Sequence, residues 1–264
     1  MVESTRSRSR SRPNVRKNDD IETKSDLSTI AATAANTERL GFSESKSEHV
    51  STLPVIHNLK IGAVKNKHTV LILAGTHGNE PGPAVALDEL LKTGEINKLL
   101  PDGNYNIVPY VNIDAINKNM RHTALQNDIN RSYYSDTDIN QYLLPFINTS
   151  SLIIDFHEAW GYHKCSNNES HGQTLNTNNV NLLPIIENVC YNLNKTYTGC
   201  DAWTAIYNPK PDKLYGSLEQ YTYHKHIPYI LVEIAGVHDI VSLDERANQT
   251  KMVLEQILRF YDDT

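Results

Sequence analysis

Short apolar runs alternate with amphipathic segments after residue 50, and this alternation constrains the fold more than any other feature. The runs are rich in Val, Ile and Leu, and Gly or polar residues end them, which is typical of strands buried on both faces of a sheet. Four such strands are predicted: TVLILAG at 69–75, YNIVPYVNI at 105–113, SLIIDFHEA at 151–159 and PYILVEIAG at 228–236.

Helical spacing of apolar residues marks the segments between and after these runs. The predicted helices are PAVALDELLKTG at 83–94, NLLPIIENVCYNLNKT at 181–196, SLEQYTYHKH at 217–226 and SLDERANQTKMVLEQILRFYDD at 242–263. Strand–helix alternation predicts an α/β fold with helices on both faces of the sheet. In such folds functional groups gather at the carboxyl ends of the strands.

The first 50 residues differ in composition from the rest of the chain. They are rich in Ser, Thr and charged residues, with the basic run RSRSRSR near the start, and predict a disordered arm (1–50) before a single catalytic domain (51–264). Residues 51–264 hold 16 basic and 23 acidic residues, a net charge of −7, which disfavours nucleic-acid binding by this domain. Nucleic-acid contact is therefore expected, if anywhere, only through the basic arm.

The three cysteines, Cys165, Cys190 and Cys200, form no CxxC pair. Their odd number argues against a disulfide framework and against a cysteine-ligated zinc site. We therefore expect a reduced, intracellular and cytoplasmic setting. No apolar stretch is long enough to predict a transmembrane helix.

Three of the predicted strands are followed by, or contain, side chains of the metal-ligand type. His77 and Glu80 follow the first strand, His157 lies near the end of the third, two residues after Asp155, and Glu233 lies in the last. Two histidines and one carboxylate that leave a coordination position open are the ligand set of a catalytic zinc. A further carboxylate nearby is what a general base for water requires.

Less specific interpretations remain open for these residues. A single histidine after a strand is commonly a capping or surface residue, and His163, His171 and His238 are alternative ligands. Glu233 is harder to explain in that way, because an unpaired carboxylate inside an apolar strand costs several kcal/mol. His224 and His226 belong to a predicted helix away from the strand ends, where no ligand role is expected.

Four blocks of the sequence resemble a known family, in the order that the family has them. They are GTHGNE (75–80), VNIDAINKNMRHTALQNDINRSY (111–133), DFHEAW (155–160) and ILVEIAG (230–236). On these blocks the chain is identified as a member of the M14-type zinc carboxypeptidase superfamily, which includes the succinylglutamate desuccinylase and aspartoacylase deacylases. The resemblance implies a mixed twisted sheet flanked by helices.

The resemblance also implies roles for individual residues. His77, Glu80 and His157 would bind one zinc ion per chain, and Asp128 would hold one zinc-bound histidine in its tautomer. Asn130 and Arg131 would bind a carboxylate of the substrate, for which the fork of an arginine is well suited.

Four further residues take implied roles around the scissile bond. Arg121 would stabilise the oxyanion and Glu233 would be the general base. The family's mobile tyrosine is matched by Tyr207 or Tyr215, of which Tyr215 is slightly favoured. Glu219 would read the side chain of the released residue, although a solvated helix carboxylate is an equally good interpretation.

The implied enzyme is a zinc-dependent hydrolase of an amide bond next to a free carboxylate. A metallocarboxypeptidase that acts on peptide C-termini is favoured, because the 31 residues after Glu233 resemble a single helix rather than the extra β domain of aspartoacylase-type enzymes. A deacylase of N-acyl amino acids is the alternative, and HGNE favours it. A non-catalytic binding protein on the same scaffold is a second alternative.

Overall fold

The computed structural model describes residues 52–62, 68–122, 128–166, 170–211, 213–236 and 240–262. The predicted arm, residues 1–50, and His238 lie outside the described residues. The division into an arm and a catalytic domain therefore stays a prediction.

A seven-stranded mixed sheet forms the centre of the fold, and its strand order is β1-β3-β2-β4-β7-β5-β6. Strands β3, β2, β4 and β7 run parallel, whereas β1 pairs antiparallel with β3 and β5 pairs antiparallel with β7. The strands are β1 His57–Ile61, β2 Thr69–Leu73, β3 Gly103–Val108, β4 Leu152–Ala159, β5 Thr174–Thr177, β6 Thr204–Tyr207 and β7 Tyr229–Ala235.

Helices cover both faces of this sheet, so the predicted α/β fold class is confirmed. Helices α4 and α6 pack on the face that carries Leu71, Ile153 and Tyr229. Helix α7 packs against α1 and α5 and contacts β7, which places these three helices on the opposite face. The helices are α1 Pro81–Thr93, α2 Ile96–Leu99, α3 Ile113–Lys118, α4 Asp138–Thr149, α5 Leu183–Leu193, α6 Leu218–Lys225 and α7 Leu243–Asp262.

The four predicted strands and four predicted helices are present, with small shifts at their ends. The second strand ends at Val108, before Pro109, because proline cannot donate a ladder hydrogen bond. Sequence analysis missed the edge strands β1 and β6, the short polar strand β5 and the helices α2, α3 and α4. Strand β5 is the four-residue TLNT, which carries little hydrophobic pattern, and α4 contains Pro145.

A disulfide joins Cys165 to Cys200, which corrects the expectation that the chain has no disulfide framework. The two residues lie 35 positions apart in the sequence, each in a 3-10 turn, and their Cα atoms are 5.3 Å apart. Because disulfides persist in oxidising compartments, the prediction of a reduced, cytoplasmic setting loses the observation on which it rested. Cys190 is a buried free thiol in α5.

None of the helices in the described ranges is both long and apolar enough to cross a membrane.

Candidate active site

The loop between β2 and α1 carries His77 and Glu80. This loop turns at Gly75, whose φ of 67° favours glycine. Gly78 packs so closely on α3 that a Cβ atom there would lie 2.0 Å from the carbonyl carbon of Ala115. The glycines of the GTHGNE motif therefore allow the loop to press His77 and Glu80 against the neighbouring strand end.

His157 and Glu233 lie side by side on adjacent parallel strands. They are register partners in the pairing of β4 with β7, and paired residues point to the same face of a sheet. Both lie near the carboxyl ends of their strands, and the same face also carries Asp155 in the middle of β4 and Tyr229 at the start of β7. The predicted ligand and the predicted base are therefore neighbours.

His77, Glu80 and His157 form a compact buried group, with exposed fractions of 2%, 5% and 3%. The Nδ1 atom of His77 lies 2.8 Å from Glu80 Oε1, and the Nδ1 atom of His157 lies 2.8 Å from Glu80 Oε2. The two Nδ1 atoms are 3.1 Å apart. Among the residues that the structure describes, this is the only group of three or more ligand-type side chains close enough to hold a metal ion.

Both histidines turn their second nitrogen toward a carboxylate. His77 Nε2 lies 3.2 Å from Asp128 Oδ1, and His157 Nε2 lies 3.3 Å from Asp155 Oδ2. Asp155 also accepts a hydrogen bond from the hydroxyl of Tyr229 at 2.9 Å. The hydrogen bond to Asp128 can fix the tautomer of His77 that leaves Nδ1 free for a metal, whereas Asp155 approaches His157 Nε2 without hydrogen-bond geometry.

The charges of Glu80 and the two histidines depend on one another. Burial raises the pKa of Glu80, but His157 and His77 outweigh burial and hold the pKa below its ordinary value. Burial lowers the pKa of His157, yet Asp155 and Glu80 outweigh it and hold that pKa well above its ordinary value. The carboxylates thus give the site a negative potential, which stabilises a positive charge such as that of a divalent cation.

Glu233 is the carboxylate in the cleft with the most strongly raised pKa. Burial raises the pKa of Glu233 to about 8, while the positive charge of His157 opposes this and the charge of Glu80 adds to it. A pKa near the operating pH suits a general base, and a cation bound nearby would lower this raised pKa.

Arg121 lies beside the buried group at the edge of the cleft. Its Nε and Nη2 atoms both donate to Asp128 Oδ2 at 3.0 Å, and its Nη1 atom is 3.6 Å from Glu80 Oε1. Burial raises the pKa of Asp128, but His77 and Arg121 outweigh it and hold the pKa below its usual range. Asp128 therefore links the histidine to the arginine, so the two side chains are positioned together.

Asn130 and Arg131 follow Asp128 in a 3-10 turn and line the cleft. The Oδ1 atom of Asn130 accepts a hydrogen bond from the backbone N–H of Leu218 at 2.9 Å, which fixes this turn to the start of α6. Gly216 packs so tightly on Arg131 that a Cβ atom there would lie 2.2 Å from its carbonyl oxygen. The Arg131 side chain is exposed.

Glu219 is buried and lines the cleft, so the interpretation of a solvated helix carboxylate is wrong. Its Oε1 atom accepts a hydrogen bond from Asn208 Nδ2 at 2.9 Å. Burial raises the pKa of Glu219, and the hydrogen bond from Asn208 opposes this. The hydrophobic pattern of α6 is weak, which is why its sequence did not reveal the buried face.

Tyr207 lines the cleft, whereas Tyr215 is not among the lining residues and is 72% exposed. Tyr215 instead lies 5.8 Å, between ring centroids, from Tyr134. The structure thus places the other sequence candidate at the cleft, the reverse of the slight preference for Tyr215.

The cleft that joins these residues has a volume of about 510 Å³. It is large enough for a short peptide or an N-acyl amino acid. Sequence analysis missed several of its lining residues. Of these, Tyr229 could have been found most easily, because it lies four residues before Glu233 and therefore on the same face of the strand. The missed lining residues include Trp160, Asn176, Asn208 and Tyr229.

Two of the alternative histidines, His163 and His171, lie outside the buried group. The Nδ1 atom of His163 is 2.9 Å from the carbonyl oxygen of Ser170, and His171 stacks near His163 at the wall of the cleft. The Nδ1 atom of His224 pairs with the Tyr134 hydroxyl at 2.7 Å, and His226 caps α6.

Comparison with protein families gives a match over part of the chain. Residues 66–160 match the succinylglutamate desuccinylase/aspartoacylase catalytic domain. This range includes His77, Glu80 and His157. No curated protein sequence matches the chain.

Comparison with solved structures shows the fold. The apo cell shape determinant protein Csd4 from Helicobacter pylori, a D,L-carboxypeptidase, matches with a TM-score of 0.68 and 16% identity, over 79% of this chain and 55% of that one. A putative metallopeptidase from Shewanella denitrificans matches with a TM-score of 0.58 and 14% identity, over 89% and 88% of the two chains.

A third similar structure is the product-bound ectoine utilization protein EutE from Ruegeria pomeroyi. Its TM-score is 0.55 at 19% identity, and the match covers 78% of this chain and 60% of that one. The chain therefore spans about half the length of Csd4 and somewhat more of EutE.

Proposed function

Because the chain belongs to the superfamily that unites succinylglutamate desuccinylase/aspartoacylase catalytic domains with carboxypeptidase-fold enzymes, we propose that it is a zinc-dependent hydrolase. It cleaves an amide bond next to a free carboxylate, and its substrate is the C-terminus of a peptide. One observation carries the proposal. His77 and His157 point Nδ1 at Glu80 and Nε2 at a carboxylate, with Glu233 beside His157.

The donor set fits zinc. Two imidazole nitrogens and a carboxylate are the protein ligands of a hydrolytic zinc site, which leaves a position open for water or substrate. The Asp128 and Asp155 carboxylates behind the histidines are the supporting partners that such ligands have. A zinc ion bound here would polarise the scissile carbonyl and lower the pKa of a bound water.

The residues of the chain supply the proton transfers and the orientation. Glu233 accepts a proton from the attacking water as the water oxygen bonds to the carbonyl carbon. The same carboxyl group then delivers that proton to the leaving nitrogen as the C–N bond breaks. Arg121, held by Asp128, donates hydrogen bonds to the oxygen on which negative charge develops.

The far side of the cleft binds the released residue. Arg131 and the Nδ2 atom of Asn130 bind its α-carboxylate, for which the exposed guanidinium is accessible. Glu219 and Asn208 lie against its side chain. Because Glu219 is buried with one oxygen already hydrogen-bonded, an amino or guanidinium group of the substrate would stabilise its charged form. We therefore propose a preference for basic C-terminal residues.

The deacylase alternative has an observation of its own. The family model that matches residues 66–160 is that of a deacylase catalytic domain, and that range holds all three proposed zinc ligands. The same zinc site and base would then act on a short N-acyl amino acid, with Arg131 on its carboxylate. The residues around Glu219 would contribute little to such a substrate.

A substrate panel separates these functions. The zinc-loaded protein is assayed on peptides that end in Lys, Arg, Leu or Glu, and on N-acetyl and N-succinyl amino acids. The proposal predicts the highest kcat/KM for peptides ending in Lys or Arg, and Glu219→Gln should remove this preference while sparing peptides that end in Leu. Activity confined to N-acyl amino acids, with the same kcat/KM in Glu219→Gln as in the wild type, would show that the protein is a deacylase. Zinc binding without turnover of any substrate would favour the binding protein.

A further inference from the structure

A buried ion pair behind the zinc ligands has no part in the chemistry above. Glu158 and Arg246 are 3% and 4% exposed, and Arg246 Nη1 lies 2.6 Å from Glu158 Oε2. Glu158 follows His157 on β4 and so points to the opposite face of the sheet, toward α7, which carries Arg246. We call Glu158 and Arg246 the clamp.

The clamp holds the segment that carries Glu80 in two ways. The side chain of Glu158 accepts a hydrogen bond from the backbone N–H of Gly82, in the first turn of α1, at 2.6 Å. The backbone N–H of Glu158 donates to Glu80 Oε2 at 3.1 Å. One residue therefore fixes both the helix that begins after the ligand and the ligand's own oxygen.

The clamp also reaches the end of the strand that carries Glu233. Arg246 Nη1 donates to the carbonyl oxygen of Gly236 at 3.3 Å. A Cβ atom at Gly236 would lie 2.3 Å from Glu158 Oε2, and one at Gly82 would lie 2.5 Å from Glu158 Oε1. Two glycines thus leave room for this pair between the segment after Glu80 and the segment after Glu233.

Stability alone is a weak reason to bury such a pair, because apolar residues of similar volume often serve folding equally well. We infer that Glu158 and Arg246 are positioning residues, which set the zinc ligand Glu80 and the end of the Glu233 strand in their working geometry. The inference rests on the proposed zinc site.

The test measures zinc affinity by competition with a chromophoric chelator, together with thermal melting of the same samples. Glu158→Leu/Arg246→Met replaces the clamp by apolar groups and is expected to melt close to wild type. Its zinc affinity should fall about tenfold or more, as it does when outer partners of a metal site are lost. Lys251→Met is the matched control. It removes the exposed Lys251–Glu89 pair, which joins the same two helices, and should leave zinc affinity unchanged.

Arg246→Lys covers the case in which the double variant does not fold. It keeps the charge but loses the guanidinium contact to both Glu158 and Gly236, so zinc affinity should fall by a smaller factor. Wild-type zinc affinity in Arg246→Lys and in any folded double variant would overturn the inference, as would an equal loss in Lys251→Met. A wild-type protein that binds no zinc would overturn the proposed function, and the role of the clamp with it.

Discussion

The two ends of the cleft are built differently. At the metal end, His77, Glu80 and His157 are at most 5% exposed. Each of their ring nitrogens and carboxylate oxygens lies within 3.3 Å of another histidine or carboxylate. At the recognition end, Arg131 is exposed while Glu219 is buried. The metal end is thus organised before any substrate arrives, whereas the recognition end still has charge to pair with a ligand. Substitutions should therefore act on all substrates at the first end and on particular substrates at the second.

Glu233→Gln should have the largest effect on turnover. Glutamine keeps the size of the side chain but cannot accept the proton of the attacking water. We expect kcat to fall by about 100-fold or more on every substrate, with zinc content unchanged. Turnover with excess zinc and metal analysis of the same sample check this. Joint loss of zinc and activity would show that Glu233 is a ligand.

Arg131→Ala should affect only substrates that carry the free carboxylate. A charge-assisted hydrogen-bonded contact contributes about 1.5–3 kcal/mol, so kcat/KM should fall about 10- to 150-fold for the acid. The C-terminally amidated peptide should lose almost nothing further, because the substitution and the amidation remove one interaction. Measurement of kcat/KM for the wild type and Arg131→Ala, each on the acid and the amidated peptide, gives a double-mutant cycle. Additive losses would mean that Arg131 acts elsewhere.

The local sequence could predict that the proposed ligands and Glu233 lie close together, because these residues occur at strand ends and within short motifs. His77 and Glu80 are separated by two residues, and His157 and Glu233 belong to apolar strands whose register brings them together. The recognition end depends on contacts that local pattern does not encode. The buried face of α6 that holds Glu219 and the polar strand β5 beside Glu233 have weak periodicity.

Contacts between residues far apart in the chain could not be predicted from the sequence for the same reason. Cys165 and Cys200 meet only because two turns fold together, and Glu158 meets Arg246 across 88 positions of the chain. The sequence shows Asp155 two residues before His157 on the same strand, but the 3.3 Å approach of its Oδ2 atom to His157 Nε2 depends on side-chain geometry.

The metal-free protein should show a pH-dependent effect of Glu233 on stability. Burial raises the pKa of this carboxyl from 4.5 to about 8, so its protonated form stabilises the fold fully below about pH 4.5, and that contribution is lost as the pH rises through 8. Relative to Glu233→Gln, the wild type should lose up to about 1.4 kcal/mol of unfolding free energy per pH unit in this window. Urea unfolding of both metal-free proteins across the window measures the difference. Parallel pH profiles would contradict it.

Zinc stoichiometry decides whether the buried group is a metal site. Equilibrium dialysis against zinc, followed by metal analysis, is applied to the wild type, His157→Ala and His163→Ala. We predict one zinc per chain in the wild type and in His163→Ala. In His157→Ala the affinity should fall by more than the 10- to 100-fold that loss of an outer partner costs, which leaves the site empty at the zinc concentration that saturates the wild type. A full equivalent of zinc in His157→Ala, or its loss in His163→Ala, would contradict the assignment of His77, Glu80 and His157 as the ligands.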